Sequence, residues 1–210
     1  MNNSVALLVL RAFLYAVFVA GLVYLVTLEG YRDGKDSAYS EQSLTEWLES
    51  GYALLSGLVF IAVARLSATL RPVAAMLAAL CFMMFIREAD FFLDRIFDGA
   101  WQVLVTLVLI VTALYLWRQP RSIAESIREF AQLPSAGILL SGFLVLFVFS
   151  RLFGRGSFWQ SVMGDDYVRV VKNIAEEGTE IMGYGLIAIA AIELLVFAIS
   201  AARARTQTPG

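Results

Sequence analysis

Apolar positions in this chain fall in long blocks separated by short polar segments. A membrane-spanning helix needs about 20 mostly apolar residues, with a range of about 17–25. Six blocks have that length. The first runs from about Val5 to Leu28 and contains Arg11. The second covers Leu44 to Leu66. The third runs from Pro72 to about Phe97 and is charged in its last third. The fourth covers Trp101 to Trp117, and the fifth Pro134 to about Phe153. The sixth runs from Ile181 to about Ala202 and is interrupted by Glu193. The pattern predicts an all-α polytopic membrane protein with six transmembrane helices in a single domain, residues 1–210. The first block is expected to be a retained helix, because Met1-Asn2-Asn3-Ser4 has no basic residue and the apolar run is longer than a signal-peptide core.

Shorter segments carry a different period. Between Pro120 and Leu133, Ile123, Ile127, Phe130 and Ala131 share one helical face, with Arg121, Glu125, Arg128 and Glu129 elsewhere. That spacing predicts a short amphipathic helix at the membrane surface. Phe158, Trp159, Val162 and Met163 predict a second. Pro72 and Pro134 stand where proline opens a helix. Asp165-Asp166 would cap a long final helix, with Gly178, Gly183 and Gly185 as places where it bends or meets a neighbour.

Composition narrows the function. Apolar residues make up 60 % of the chain and charged ones 16 %, against about 45–50 % and about 25 % in soluble domains. An ordinary soluble enzyme and a disordered chain are both excluded. The net charge of −2 gives no nucleic-acid partner. The chain has no histidine, which removes His-ligated haem, the common zinc sites and the Ser-His and Cys-His catalytic arrangements. Its single cysteine, Cys81, cannot form an internal disulfide. No nucleophile elbow, phosphate loop or Ser-Lys pair is present, so no catalytic residue and no cofactor are expected.

Six spans place both termini on one side of the membrane. That side carries Arg65, Arg71, Arg118, Arg121, Arg128, Arg203 and Arg205; the other carries cations that alternate with acids, as in Arg32-Asp33, Arg87-Glu88 and Asp94-Arg95. The short loop between Arg65 and Arg71 has arginine at each end and no acid. This places the termini in the cytoplasm of a bacterial-type inner membrane, although Arg151 and Arg155 oppose it.

Charges at membrane depth cost roughly 2.5–3.5 kcal/mol each on insertion scales, so they are the most informative residues. Arg11 and Glu193 lie ~10 and ~15 Å from the same face at 1.5 Å per residue, and are expected to pair. A larger group lies near the opposite face: Glu46, Glu49, Arg87, Glu88, Asp90, Asp94, Glu177 and Glu180. Glu49 is sixteen residues from Arg65, and Arg87 sixteen from Arg71, which sets both at ~24 Å. Arg87 and Asp90 share a helical face in this register, as do Glu46 with Glu49 and Glu177 with Glu180; Lys172, Glu176 and Glu180 form a further stripe. Arg87 is therefore the expected keystone, bridging Asp90 and a neighbouring glutamate.

Acids in a first helical turn also answer the helix dipole, which accounts for Glu46, Glu49, Glu176, Glu177 and Glu180 without any ligand. It does not account for Glu88, Asp90 and Asp94 at a helix C-terminus. Three functions are compatible with these residues. The first is a cavity open to the outer side that binds or conducts a proton, a cation or a small polar molecule, the metal, if any, being undetermined. The second is a non-catalytic subunit whose acidic rim meets a membrane-protein partner. The third, a lipid-modifying enzyme using paired carboxylates, has the least support.

Overall fold

The structure is a computed structural model that describes residues 3–37, 43–119 and 122–206. Pro120 and Arg121, and the side chains of Arg32, Lys35 and Arg205, lie outside the described residues. Among the described residues every regular element is helical. In chain order they are α1 (Asn3–Ser37), α2 (Leu44–Leu66), α3 (Arg71–Glu88), α4 (Asp90–Leu93), α5 (Ala100–Trp117), α6 (Ile123–Ala131) and α7 (Pro134–Leu144). A π-helical segment, Val145–Phe149, leads from α7 into α8 (Ser150–Phe153). The chain continues through α9 (Gly156–Met163), a 3₁₀ turn (Gly164–Asp166) and α10 (Arg169–Thr206).

Five helical stretches are long and apolar enough to cross a membrane: Val5–Tyr31, Leu44–Leu66, Ala100–Trp117, Pro134–Phe153 and Arg169–Ala204. That is the signature of an integral membrane protein. Apolar side chains face outward along α1 and α5, where only 6 % of each spanning window is buried. In water such faces would be large exposed patches, whereas lipid tails solvate them without cost.

The third apolar block is shorter than its sequence pattern suggests. α3 ends at Glu88, the chain breaks helix at Ala89 (φ −90°, ψ 9°), and α4 restarts at Asp90. Anions at a helix C-terminus oppose the dipole, and Arg87, Glu88 and Asp90 cluster there, so the helix stops instead of running on to Phe97. What remains between Arg71 and Arg87 is fifteen residues, Pro72 to Ile86.

Packing divides the chain into two compact units, each built from separated segments. The first comprises Met1–Leu48 with Gly142–Gly185, the second Glu49–Ser141 with Leu186–Gly210.

In the second unit α3 packs against α5 and α6. Pro72 leaves the start of α3 one donor short, and the next backbone N–H, that of Val73, donates to Ser126 Oγ of α6 at 3.1 Å. Ser126 is fully buried, while Ile123 and Ile127 on the same short helix are exposed. A polar residue thus docks α6, with Ile123 and Ile127 left facing outward and Phe130 half-buried. Arg71 Nε donates to Ala64 O at 3.0 Å, which closes the turn from α2 into α3. Between α4 and α5, Gly99 adopts φ +84° and donates its N–H to Asp94 Oδ1 at 3.2 Å. Phe82 of α3 lies over Gly57 of α2.

The first unit contains α10 as far as Gly185, and its glycines there serve close approach without breaking the helix. A Cβ on Gly183 would fall 2.8 Å from Leu146 Cβ and 3.1 Å from Gly142 O. A Cβ on Gly185 would fall 2.6 Å from Leu22 Cδ1. α1 and the α7–α8 segment therefore both pack closely on α10 at glycines; at Gly183 the neighbouring backbone leaves no room for a side chain, whereas at Gly185 the Leu22 side chain would have to shift. Asp165 and Asp166 lie in the 3₁₀ turn before α10 and do not cap it.

Candidate functional site

The first unit gathers acidic and basic side chains from four parts of the chain. The best-satisfied acid is Glu29 of α1, which is buried. Its Oε1 accepts the Leu44 N–H at 3.0 Å; its Oε2 accepts the Thr45 N–H at 3.1 Å and the Thr45 hydroxyl at 2.5 Å. The first N–H groups of a helix have no partner within it. Here a carboxylate from another helix supplies one, and the positive end of the α2 dipole compensates its charge. Ser43 Oγ accepts the Glu46 N–H at 3.1 Å, completing the cap.

The second part is the end of the fifth apolar block. The π turn inserts one residue into the helical ladder, which rotates the residues beyond it by about 100°. Ser150 and Arg151 come directly after it. Ser150 Oγ donates to Leu146 O at 2.6 Å and lies 3.4 Å from Glu180 Oε1. Arg151 reaches two acids of α10, with Nη2 3.0 Å from Glu180 Oε1 and Nη1 3.7 Å from Glu176 Oε1. On α10 itself Lys172 pairs with Glu176 at i, i+4. Gly154 ends α8 so close to Glu176 that a Cβ would fall 2.8 Å from its carboxyl carbon.

Glu177 differs from its neighbours. Its Oε2 is buried and has no hydrogen-bond partner among the described residues. The side chain feels the charges of Glu46, Glu29, Glu180 and Glu176. A carboxylate oxygen out of water normally accepts at least one hydrogen bond.

Of the residues expected from the sequence, Glu46, Glu177 and Glu180 belong to this cluster, and the Lys172–Glu176 pair forms as its spacing implies. Glu49, Arg87, Glu88, Asp90 and Asp94 belong to the second unit. Glu49 is buried, and Glu88 and Asp90 are half-buried. Asp94 is exposed and holds the Gly99 turn. Arg87 is exposed and makes no hydrogen bond or ion pair among the described residues. Arg87 and Asp90 lie on opposite sides of the break at Ala89, and the bridging expected of Arg87 is not formed among the described residues; in the first unit it is Arg151 that meets two acids, Glu176 and Glu180. Arg95, placed beside acids in the sequence, instead covers the Phe91 ring at 4.4 Å. Arg11 lies in the first unit and Glu193 in the second; both are half-buried.

Glu29 and Arg151 are the members that sequence reasoning passed over. The signal for Glu29 is an acid directly after the apolar run that ends at Leu28. For Arg151 it was a cation at the end of a block otherwise free of charge.

No group of three or more Cys, Asp or Glu side chains among the described residues is arranged to hold a metal ion. The chain matches no family model, no curated protein and no solved structure.

Replacing Arg151 with glutamine should lower stability by about 1 kcal/mol or more, since two glutamates lose a charged donor and half-exposure of the guanidinium limits the effect. Arg87→Gln should stay within about 0.5 kcal/mol of wild type. Thermal unfolding of both variants in detergent checks the contrast.

Proposed function

We propose that this protein is a six-span inner-membrane protein whose Glu177-centred cluster binds a proton or a small cation. The reading is carried by one observation: a buried Glu177 oxygen without a donor, set among four other carboxylates. Glu29 is answered by the α2 N-terminus, and Glu176 and Glu180 by Arg151 and Lys172. Glu177 is the member left able to take a positively charged ligand, and a proton or a cation would relieve both the missing hydrogen bond and the like-charge repulsion. The single unpartnered oxygen favours a ligand that needs few donors.

In this reading α3 is the sixth span, its fifteen-residue apolar core being short for a bilayer and bounded by Arg71 and Arg87. A short hydrophobic stretch is accommodated by local thinning and by snorkelling of flanking charged side chains. α6 and α9 lie at the interfaces. Both termini are cytoplasmic, for the acid-free loop between Arg65 and Arg71 lies on their side. The Glu177 cluster then opens toward the outer face.

Orientation is tested with an impermeant thiol reagent on intact cells, because the native Cys81 is buried and should give little background. A cysteine at Ser161 should be labelled and one at Ser122 should not; the reverse pattern inverts the topology. The binding role is tested on purified wild type and Glu177→Gln at constant ionic strength. Wild type should exchange protons, or gain thermal stability when a small monovalent cation replaces a bulky one. Glu177→Gln should fold at least as well and show neither response. If the two proteins respond alike, Glu177 is not the binding group.

A further inference from the structure

The second unit contains a groove of about 700 Å³ between α2, α3 and α5. Its walls are apolar over most of their length, with Ala75, Ala78 and Phe82 on α3 facing side chains of α2 and α5. Arg65 and Arg71 line one end of it, joined by Tyr115. These three belong to the last turn of α2, the first turn of α3 and the last turn of α5, which places them at the mouth. Among the described residues no acidic side chain lines the groove. Arg65 is exposed and makes no hydrogen bond or ion pair among the described residues. Arg71 uses its Nε on Ala64 O, and a guanidinium has five N–H donors in all.

We propose that this groove binds an anionic phospholipid, with its phosphate against Arg65 and Arg71 and an acyl chain along α3. Charge complementarity selects the headgroup: two guanidiniums at the mouth of an apolar trough match a phosphate ester attached to a hydrocarbon chain, and guanidinium suits phosphate better than ammonium does. Length selects lipid over a partner helix. From Arg71 to Phe82 is eleven residues, or ~16 Å at 1.5 Å per residue, which is about half of a hydrocarbon core of about 30 Å. The groove thus matches one leaflet, whereas a spanning partner helix would need a trough along the whole span. α5 carries its apolar residues outward, so the groove borders the phase in which lipid is present at high concentration. Lipid binding here rests on the membrane reading alone and is independent of the Glu177 cluster.

The experiment measures retention of phosphatidylglycerol and phosphatidylcholine of identical acyl chains by the purified full-length chain, using native mass spectrometry. Wild type should retain phosphatidylglycerol in preference. Arg65→Gln should reduce that preference by about fivefold, the effect of one arginine at an anionic lipid surface, without unfolding the protein, since the Arg65 side chain is exposed and has no partner among the described residues. Ala75→Phe, which fills the trough from α3, should reduce retention of both lipids. Val111→Trp fills it from α5, where the side chain is exposed, and serves if Ala75→Phe does not fold. An unchanged preference in Arg65→Gln overturns the proposal. So does a wild-type dimer that either filling variant dissociates, because a second copy would then be the occupant.

Discussion

Arg151 joins the fifth apolar block to the last one by holding Glu180 and Glu176, and the polar interior of the first unit is organised around that contact. A carboxylate in an apolar helix is stable only where donors or cations meet it. α10 brings three glutamates within two turns. One helix cannot answer them alone: its Lys172 reaches Glu176 and no further acid among the described residues. Glu180 is met by Arg151 from a neighbouring helix, and Glu176 is shared between Arg151 and Lys172, which fixes how that neighbouring helix lies on α10. The glycine at Gly183 and the π turn before Ser150 serve the same end. One lets the backbones approach, and the other turns Ser150 and Arg151 toward the acids.

The same constraint explains the start of α2. Its leading N–H groups would be orphaned if buried, and Glu29 would be an uncompensated charge; each is the other's solution. Outward faces obey the opposite logic. Along α1 and α5 there is almost nothing to compensate, and the apolar surface is left to lipid. Between these extremes lies the groove beside α3, apolar in its depth and cationic at its mouth, a distribution that matches the polarity profile of half a bilayer.

Helix positions were largely legible in the sequence because blocks of about 20 apolar residues admit few alternatives, and the bounds of α2 match the second block. Pairing within one helix was legible for the same kind of reason: Lys172 and Glu176 are neighbours whenever the segment is helical. Arg87 shows where this fails. Its register with Asp90 assumes an unbroken helix, and consecutive charges at the C-terminal end broke it at Ala89. Arg151 shows the converse. A π turn within Val145–Phe149 has no mark in an apolar run, yet it decides which way the next residues face. Glu29 follows the first apolar block with nothing local to mark it, because its contact with the start of α2 is a matter of tertiary packing.

The most direct test of this organisation is a double-mutant cycle on Arg151 and Glu180, read by thermal unfolding in detergent with Arg151→Gln, Glu180→Gln and the combined variant. If the pair holds the fifth block against α10, the two changes should be non-additive, with a coupling of about 0.5–3 kcal/mol. Additivity to within about 0.3 kcal/mol would show that the two side chains do not act on each other, and the first unit would then owe its packing to its apolar faces and glycines alone.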